Sequence, residues 1–336
     1  MVSMPMRTRS RVQIAAGAYF LTMLSEIGQH IRTHLPSFLP EDKIIFNSSL
    51  RPCDPASFTS LIPAPTPATI AFVDGGQAEI ISAGNFCLSF IRVAAVVLQG
   101  EQKLKNVLKE FYLFTKARYA GQEIMYESVI FPVPGEKIIE ERDLAISSDD
   151  SSVKMGRQRA PIMAVSALAR RFAELQVAAS VPADHTLLDG TLEPTLKNEE
   201  KYLAKLPPSV SALAKTCSLF TTAGNNPIVL LNKMGGKGCW QYYIEGKTYF
   251  VKLHELAKHV FRFEGNPEVL LHLLNNSRDA LFLGYPYGLI LADKLARVSN
   301  EEKKSLRMNF LLRKENKEIR EYLNATNAHE ILDNLG

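Results

Sequence analysis

Apolar and polar positions recur along this chain with two periods, and the switches between them predict its elements. Near the amino terminus Tyr19, Met23, Ile27 and Ile31 fall at helical spacing and predict an amphipathic helix over about 12–35. From Leu50 to Thr69, Pro52, Pro55, Pro63, Pro65 and Pro67 predict an irregular connector, because proline removes a backbone donor and fixes φ. The pattern then becomes extended. Thr69–Val73 is apolar and β-prone, Glu79–Ser82 resumes after a Gly-Gly turn, and Cys87–Leu98 is a long β-branched run; three neighbouring strands joined by tight turns are expected. Leu104, Val107, Leu108, Phe111 and Phe114 predict a helix over Glu101–Thr115, and Ile124–Val133 reads as another extended piece. Charge, Ser and Asp dominate Glu136–Arg159, the composition of a mobile surface loop or insertion.

The second half alternates. Pro161 suits a first helical turn, and Ile162, Val165, Leu168, Phe172 and Leu175 form a core stripe running to Ala179. Thr186–Gly190 reads as a buried strand ending in an acid, Pro207–Ser218 as helix-like and Ile228–Leu231 as strand-like. Trp240–Ile244 and Thr248–Leu253 flank Glu245-Gly246-Lys247 and predict a hairpin, and Asn266–Asn275 is helical. Ser299 and Glu302 form a capping box for a helix carrying Leu306, Phe310 and Leu311. Strands first, then helices alternating with strands, predict an α/β fold: a mixed sheet with helices against it.

Composition narrows the class. The 336 residues are 46% hydrophobic, and 39 Lys plus Arg against 35 Asp plus Glu leave a net charge of +4, which excludes disorder as the main state and allows a sizeable core. The best apolar runs, Phe90–Leu98 and Ala280–Leu291, are too short to span a bilayer. Arg7, Arg9 and Arg11 before Ile14–Leu24 resemble a signal peptide, but Gly17, Thr22 and Ser25 dilute the stretch and Glu26 follows it, so a first helix is the better reading. Cys53, Cys87, Cys217 and Cys239 are scattered, the usage of reduced cysteines in a cytoplasmic protein, with no zinc-ligand spacing.

The candidate chemistry is carboxylate. Asp74 in FVDGGQAEI and Asp189 in LLDGTLEP each follow an apolar strand and precede glycine. The plain alternative is a turn signal. If the strands are neighbours the acids converge, and hard oxygen ligands of that kind bind Mg²⁺ or Mn²⁺. Two such ions about 3.5–4 Å apart can drive phosphodiester cleavage. Glu174, on the helix before the Asp189 strand, either points along this edge or is an ordinary solvated or Arg-paired helical Glu. Asp293 is a fourth carboxylate or a helix-surface residue; Tyr285 either fixes a phosphate or water or is packed in a Gly-Tyr-Pro turn.

The ordered set FVDGG, RRFAELQVA, LLDGTLEP and GYPYGLILADKLARVSNEE resembles the NurA family of prokaryotic nucleases over roughly residues 68–312. The resemblance implies an RNase H-like sheet with its first three strands antiparallel, and a two-Mn²⁺/Mg²⁺ site. It implies action on single-stranded DNA ends as a 5′-to-3′ exonuclease and endonuclease, a homodimer, and a HerA-type hexameric helicase-translocase as partner. By motif it makes Asp74, Glu174 and Asp189 the metal ligands, with Tyr285 and Asp293 completing the site. Two departures stand out: Gly76 where many members have Ser, expected to matter little, and Asp293 where some have His. The chain would then comprise a helical lead with a Pro-rich connector (1–67), the nuclease domain (68–312, with an insertion at about 115–160) and a helical tail (313–336).

Between Lys294 and Arg320 nine Lys/Arg face four Glu, a local excess suited to a phosphate backbone or simply to a solvated helix. Lys215, Lys233 and Lys237 are candidate DNA contacts, and the glycines around the last two do not have Walker A spacing, so ATP hydrolysis is not expected. His185, His254 and His259 read as structural, the last two on a helix. The competing readings are a non-catalytic RNase H-like DNA-binding subunit of a motor ATPase and a phosphoesterase acting on a small substrate.

Overall fold

The computed structural model describes residues 11–34, 42–154, 156–280 and 282–326. Arg7 and Arg9, and the expected helical tail past Thr326, lie outside the described residues. The chain divides into two units, Met1–Asp54 with Ser218–Leu230, and Pro55–Cys217 with Leu231–Gly336.

In the first unit the amphipathic pattern forms α1 (Arg11–His34), which exposes Leu21, Leu24, Ile27 and Ile31. The hairpin β1 (Lys43–Phe46) and β2 (Ser49–Pro52) reaches into the stretch where the prolines predict a connector. Its loop residues Asn47 and Ser48 have φ of 47° and 61°, the left-handed twist a two-residue hairpin loop requires. Ahead of β1, the buried Asp42 carboxylate accepts hydrogen bonds from Thr221 Oγ1 (2.7 Å), Thr222 Oγ1 (3.0 Å), Ala223 N (3.0 Å) and Asn225 Nδ2 (2.9 Å), tying the strand to the Ser218–Leu230 segment.

The second unit is built on an eleven-stranded sheet. Its elements in chain order begin with β3 (Phe58–Ser60), β4 (Thr69–Ala83), β5 (Phe86–Gln99), β6 (Gln102–Ala120), β7 (Glu123–Val133), β8 (Ile146–Ser147), α2 (Ala164–Ser180), β9 (His185–Asp189), α3 (Glu200–Leu203) and β10 (Val210–Ala214). After α4 (Pro227–Met234), which continues out of the Ser218–Leu230 segment, come β11 (Trp240–Glu245), β12 (Thr248–Lys252), β13 (Phe261–Glu264), α5 (Glu268–Asn276), α6 (Tyr287–Ala296), α7 (Asn300–Leu311) and α8 (Lys317–Thr326). The strand order is β3-β11-β12-β13-β10-β9-β4-β5-β6-β7-β8. β4, β5, β6 and β7 are successive antiparallel neighbours, while β9 and β10 run parallel to β4. It is a mixed sheet with helices against it, as the α/β pattern predicts.

Helices cover both faces. Val165, Leu168, Phe172 and Leu175 of α2 pack on Val73, Ile91, Val93 and Leu188. On the other face Leu270 and Leu273 of α5 and Leu289 and Ala292 of α6 pack on Ile70, Phe72 and Leu187. No helix among the described residues is long and apolar enough to cross a membrane.

Several local expectations are corrected. Gly75 and Gly76 make no turn; they lie within β4, paired with Val93 and Arg92. Glu101–Thr115 is strand β6, because the buried Phe111, Leu113 and Thr115 alternate and pair on both sides with β5 and β7. Pro207–Ser218 contains strand β10, buried at all five positions between β9 and β13, and Ile228–Leu231 belongs to helix α4. Phe58–Ser60 pairs with β11 inside the proline-rich stretch. Within Glu136–Arg159, Ile139, Leu144 and Ile146 are buried in the α2 core, so this part of the expected mobile loop is anchored. His254 and His259 sit on a connection between β12 and β13, not on a helix.

Candidate active site

The pairing of β4 with β9 ends at Val73 and Leu188, so Asp74 and Asp189 take the next positions on two adjacent parallel strands. Phe72 and Leu187 belong to the core beneath α6, and strand alternation puts Asp74 and Asp189 on that same face. Lys215 follows Leu213 by the same alternation, and its Nζ lies 2.5 Å from Asp189 Oδ2. Asp74 is buried, with Oδ1 accepting the Gly75 amide at 2.7 Å.

Glu174 comes from α2 on the opposite face. It reaches the edge at Gly75, where an added Cβ would collide with the Glu174 carboxylate and with Arg170 Cγ. Arg170 Nη1 donates to Glu174 Oε1 (2.7 Å) and to the Gly75 carbonyl (3.1 Å). Arg171 Nη1 stands 3.9 Å from Glu174 Oε2, and its Nε donates to the buried Glu199 at 2.7 Å. Arg170 and Arg171, the first residues of RRFAELQVA, make Glu174 the Arg-paired acid that the sequence offered as one reading, while Glu199, which holds Arg171, has no recognisable signature in the sequence.

The acids feel one another. Burial raises Asp74, and Asp189 and Glu174 push it further, to about 7, against the opposing Gly75 amide and Lys215. Burial and Asp189 likewise raise Glu174, opposed by Arg170 and Arg171. For Lys215 burial acts to lower the pKa, but its bond to Asp189 and the charges of Asp189, Asp74 and Asp293 outweigh it.

The GYPYG stretch explains how α6 closes the site. Gly284 has φ of 89°, and a Cβ there would strike Ala257. Tyr285 is buried, with Lys215 Nζ 5.2 Å above its ring. Burial and the charges of Asp189, Asp74 and Asp293 raise its phenol pKa; the hydroxyl is close to Asp189 without forming a hydrogen bond of good geometry. Gly288 lies flat on the Phe72 ring, with no room for a side chain. At the far end of α6 the Ala296 carbonyl occupies the space a Cβ on Gly76 would need, so serine is not an innocuous replacement at that position.

Asp293 is exposed on α6 and shares a cleft of about 510 Å³ with Lys215, Tyr285, His259, Phe261 and Phe282. His259, read from the sequence as structural, stacks on Phe282 at this cleft, at 5.1 Å between ring centroids. His185 lies at the opposite end of β9 from Asp189, against His272. Lys233 and Lys237 lie at the end of α4 and in the turn before β11, a strand separated from β10 by β13 and β12; the structure does not bring them to the carboxylates.

Among the described residues no three His, Cys, Asp or Glu side chains form a ready-made cation cage. Glu174 and Asp189 are engaged by Arg170 and Lys215. The all-carboxylate donor set nevertheless fits a hard divalent cation, whose charge would offset the burial and the repulsion that lift Asp74 and compete with those side chains.

No protein-family model matches the chain, and no curated protein matches it in sequence. Among solved structures, the NurA nuclease from Sulfolobus solfataricus is similar over 90% of this chain and 96% of its own, at 10% identity and a TM-score of 0.47. A second NurA structure covers 77% of this chain and 92% of its own, at 10% identity and a TM-score of 0.47. Ciona intestinalis endonuclease V is similar over 70% of this chain and 86% of its own, at 12% identity and a TM-score of 0.36.

Proposed function

We propose that this chain is a divalent-metal-dependent deoxyribonuclease. The observation that carries the reading is the meeting of Asp74, Glu174 and Asp189, from two adjacent strands and a helix on the opposite face, with Asp74 raised to about 7 by burial and by the other two acids. Perturbed acids gathered in this way mark functional sites, and here they line one end of two adjacent strands.

In this proposal Asp74, Glu174 and Asp189 hold Mn²⁺ or Mg²⁺, as one ion or a pair. The ion supplies Lewis-acid stabilisation of charge building on the phosphate and the leaving oxygen. Lys215, fixed by Asp189 and by the Tyr285 ring, offers its ammonium to a phosphate oxygen. Tyr285 stays protonated at neutral pH and donates a hydrogen bond from its hydroxyl to the phosphate or to the attacking water. Asp293, exposed at the mouth of the cleft, stands where water and the substrate enter the site.

The finer reading follows the sequence resemblance. It is a NurA-type enzyme of the cytoplasm, acting on single-stranded DNA ends with 5′-to-3′ exonuclease and endonuclease activity. It works as a homodimer with a HerA-type helicase-translocase, and its nuclease domain spans about 68–312. The non-catalytic DNA-binding reading draws on one observation, the capture of Glu174 and Asp189 by Arg170 and Lys215.

One digestion separates the two. Single-stranded DNA labelled at either end is incubated with Mn²⁺, Mg²⁺ or EDTA, with Asp74→Ala alongside. Metal-dependent cleavage lost in the variant supports the nuclease; salt-sensitive binding without cleavage, also in the presence of the motor, supports the binding subunit.

A further inference from the structure

Four aromatic rings gather at the mouth of the carboxylate site. Phe261 and Tyr285 form a buried floor with centroids 5.4 Å apart, and Phe282 meets Tyr285 edge-on at 5.6 Å. On this floor His259 and Phe282 form an exposed, nearly parallel pair, with an interplanar angle of 16°. Phe282 is 40% exposed, so one face of the pair is open to a ligand.

The cleft beside this pair is continuous with the site, because Lys215, Tyr285 and Asp293 line it too. Its volume of about 510 Å³ accommodates a nucleotide. We infer that the His259–Phe282 pair is a stacking platform for one unpaired nucleobase next to the phosphate being cleaved.

The inference rests on the nuclease reading and adds to it the residues that would hold an unpaired base. A base paired within a duplex keeps its faces against its own neighbours, whereas an unpaired base can swing out and stack on an aromatic side chain. Stacking is indifferent to base identity, since every base has a π face. A preference for single strands without sequence preference follows. The occupant is argued from continuity and charge: a strand whose phosphate lies at Lys215 carries its next base within reach of the rings that share Lys215's cleft.

Phe282→Ala, His259→Ala and Phe282→Trp are compared with the unsubstituted protein. Fluorescein-labelled oligothymidine of about 12 nucleotides is bound in EDTA and in Ca²⁺ and read by anisotropy, and Mn²⁺-dependent cleavage is measured separately. Phe282→Ala is expected to weaken single-strand binding about 5- to 150-fold, the range of one base stacked on one aromatic. Duplex binding should change little, and Phe282→Trp should restore affinity. A strand with one abasic position, scanned along its length, should at one register bind the unsubstituted protein and Phe282→Ala equally. Active protein whose affinity is unchanged in Phe282→Ala and His259→Ala, or whose loss is the same on duplex and at every abasic register, overturns the platform and leaves the nuclease standing. Failure of the unsubstituted protein to bind the oligomer in either buffer also overturns the platform. Failure to cleave any DNA with any metal overturns the nuclease reading itself.

Discussion

The Glu174 carboxylate occupies the place where a side chain on Gly75 would begin. The relationship joins two elements on opposite faces of the sheet: α2 brings an acid to a strand edge only because β4 offers bare backbone there. Arg170 completes the arrangement by donating to both Glu174 and the Gly75 carbonyl.

Gly75→Ala should therefore disable the site while keeping the fold. The new methyl meets Glu174 Oε1, the far end of its side chain, and Arg170 Cγ, near the root of its own, so the carboxylate is displaced and α2 shifts slightly with it. Overpacking of this kind costs about 1–3 kcal/mol. Metal-dependent cleavage should fall at least about 100-fold, close to the loss in Glu174→Gln, with a cooperative thermal transition retained. Full activity in Gly75→Ala would show that Glu174 is dispensable.

Gly288 and Gly76 behave differently, because what crowds them is rigid. A Cβ on Gly288 would enter the buried Phe72 ring, and one on Gly76 would enter the Ala296 carbonyl. Gly288→Ala and Gly76→Ser should each lift α6 from β4 and destabilise the protein by about 2–4 kcal/mol, losing activity through displaced Tyr285 and Asp293. Chemical denaturation monitored by circular dichroism checks this; unchanged midpoints would mean that α6 re-seats freely.

Lys215 is the cation at the centre of the site, 2.5 Å from Asp189 and above Tyr285. Lys215→Ala is expected to slow cleavage by about 10²- to 10³-fold, the usual effect of removing one fixed donor to developing charge. Lys215→Arg should recover part of the rate. Single-turnover kinetics at saturating DNA distinguish this from weaker binding, which would leave the rate constant unaltered.

The acids are legible in the sequence because each strand acid follows an apolar run and precedes glycine, and Glu174 lies beside the stripe of an unmistakable helix. β6 is not, since Leu104 and Leu108, or Val107 and Phe111, are four apart, a spacing that periods of 3.6 and 2 both satisfy. β10 reads as helical because Ser211-Ala212-Leu213-Ala214 favours helix, but burial between β9 and β13 overrides that preference. Gly75-Gly76 looks like a turn and serves close approach instead. The His259–Phe282 pair has no local signature: the rings belong to separate connections and meet only once the sheet and α5 have formed.

In the first unit, Asp42 should be the acid-sensitive anchor. Burial alone would raise its pKa, but bonds from Thr221, Asn225, Ala223 and Thr222 outweigh it and the net shift is downward. A depressed folded-state pKa contributes stability that is present above the unfolded value near 3.8 and lost as pH falls through the folded one. Asp42→Ala strands the buried Thr221 and Asn225 donors and should cost about 2–3 kcal/mol at neutral pH. Hydrogen exchange at Ser218–Leu230 should accelerate in the variant; identical exchange would show that the segment is held by other contacts.

Asp74 should do the opposite. Its folded-state pKa of about 7 lies above the ordinary aspartate value of 3.8, so the fold favours the protonated acid. As pH rises from about 4 to about 7 the buried charge forms and costs stability, of order 1–4 kcal/mol once ionisation is complete. Asp74→Asn removes that cost along with a proposed metal ligand. Without metal, the variant should melt with the unsubstituted protein near pH 4 and several degrees above it at pH 8, while cleaving no DNA. Mn²⁺ binds only where its ligands remain, so adding it at pH 8 should raise the unsubstituted protein and leave the variant unmoved. Thermal melts at the two pH values with and without Mn²⁺ measure all of this. A variant less stable than its parent at pH 8 would mean that Asp74 holds the strand edge together, and that the three acids are not poised for a cation.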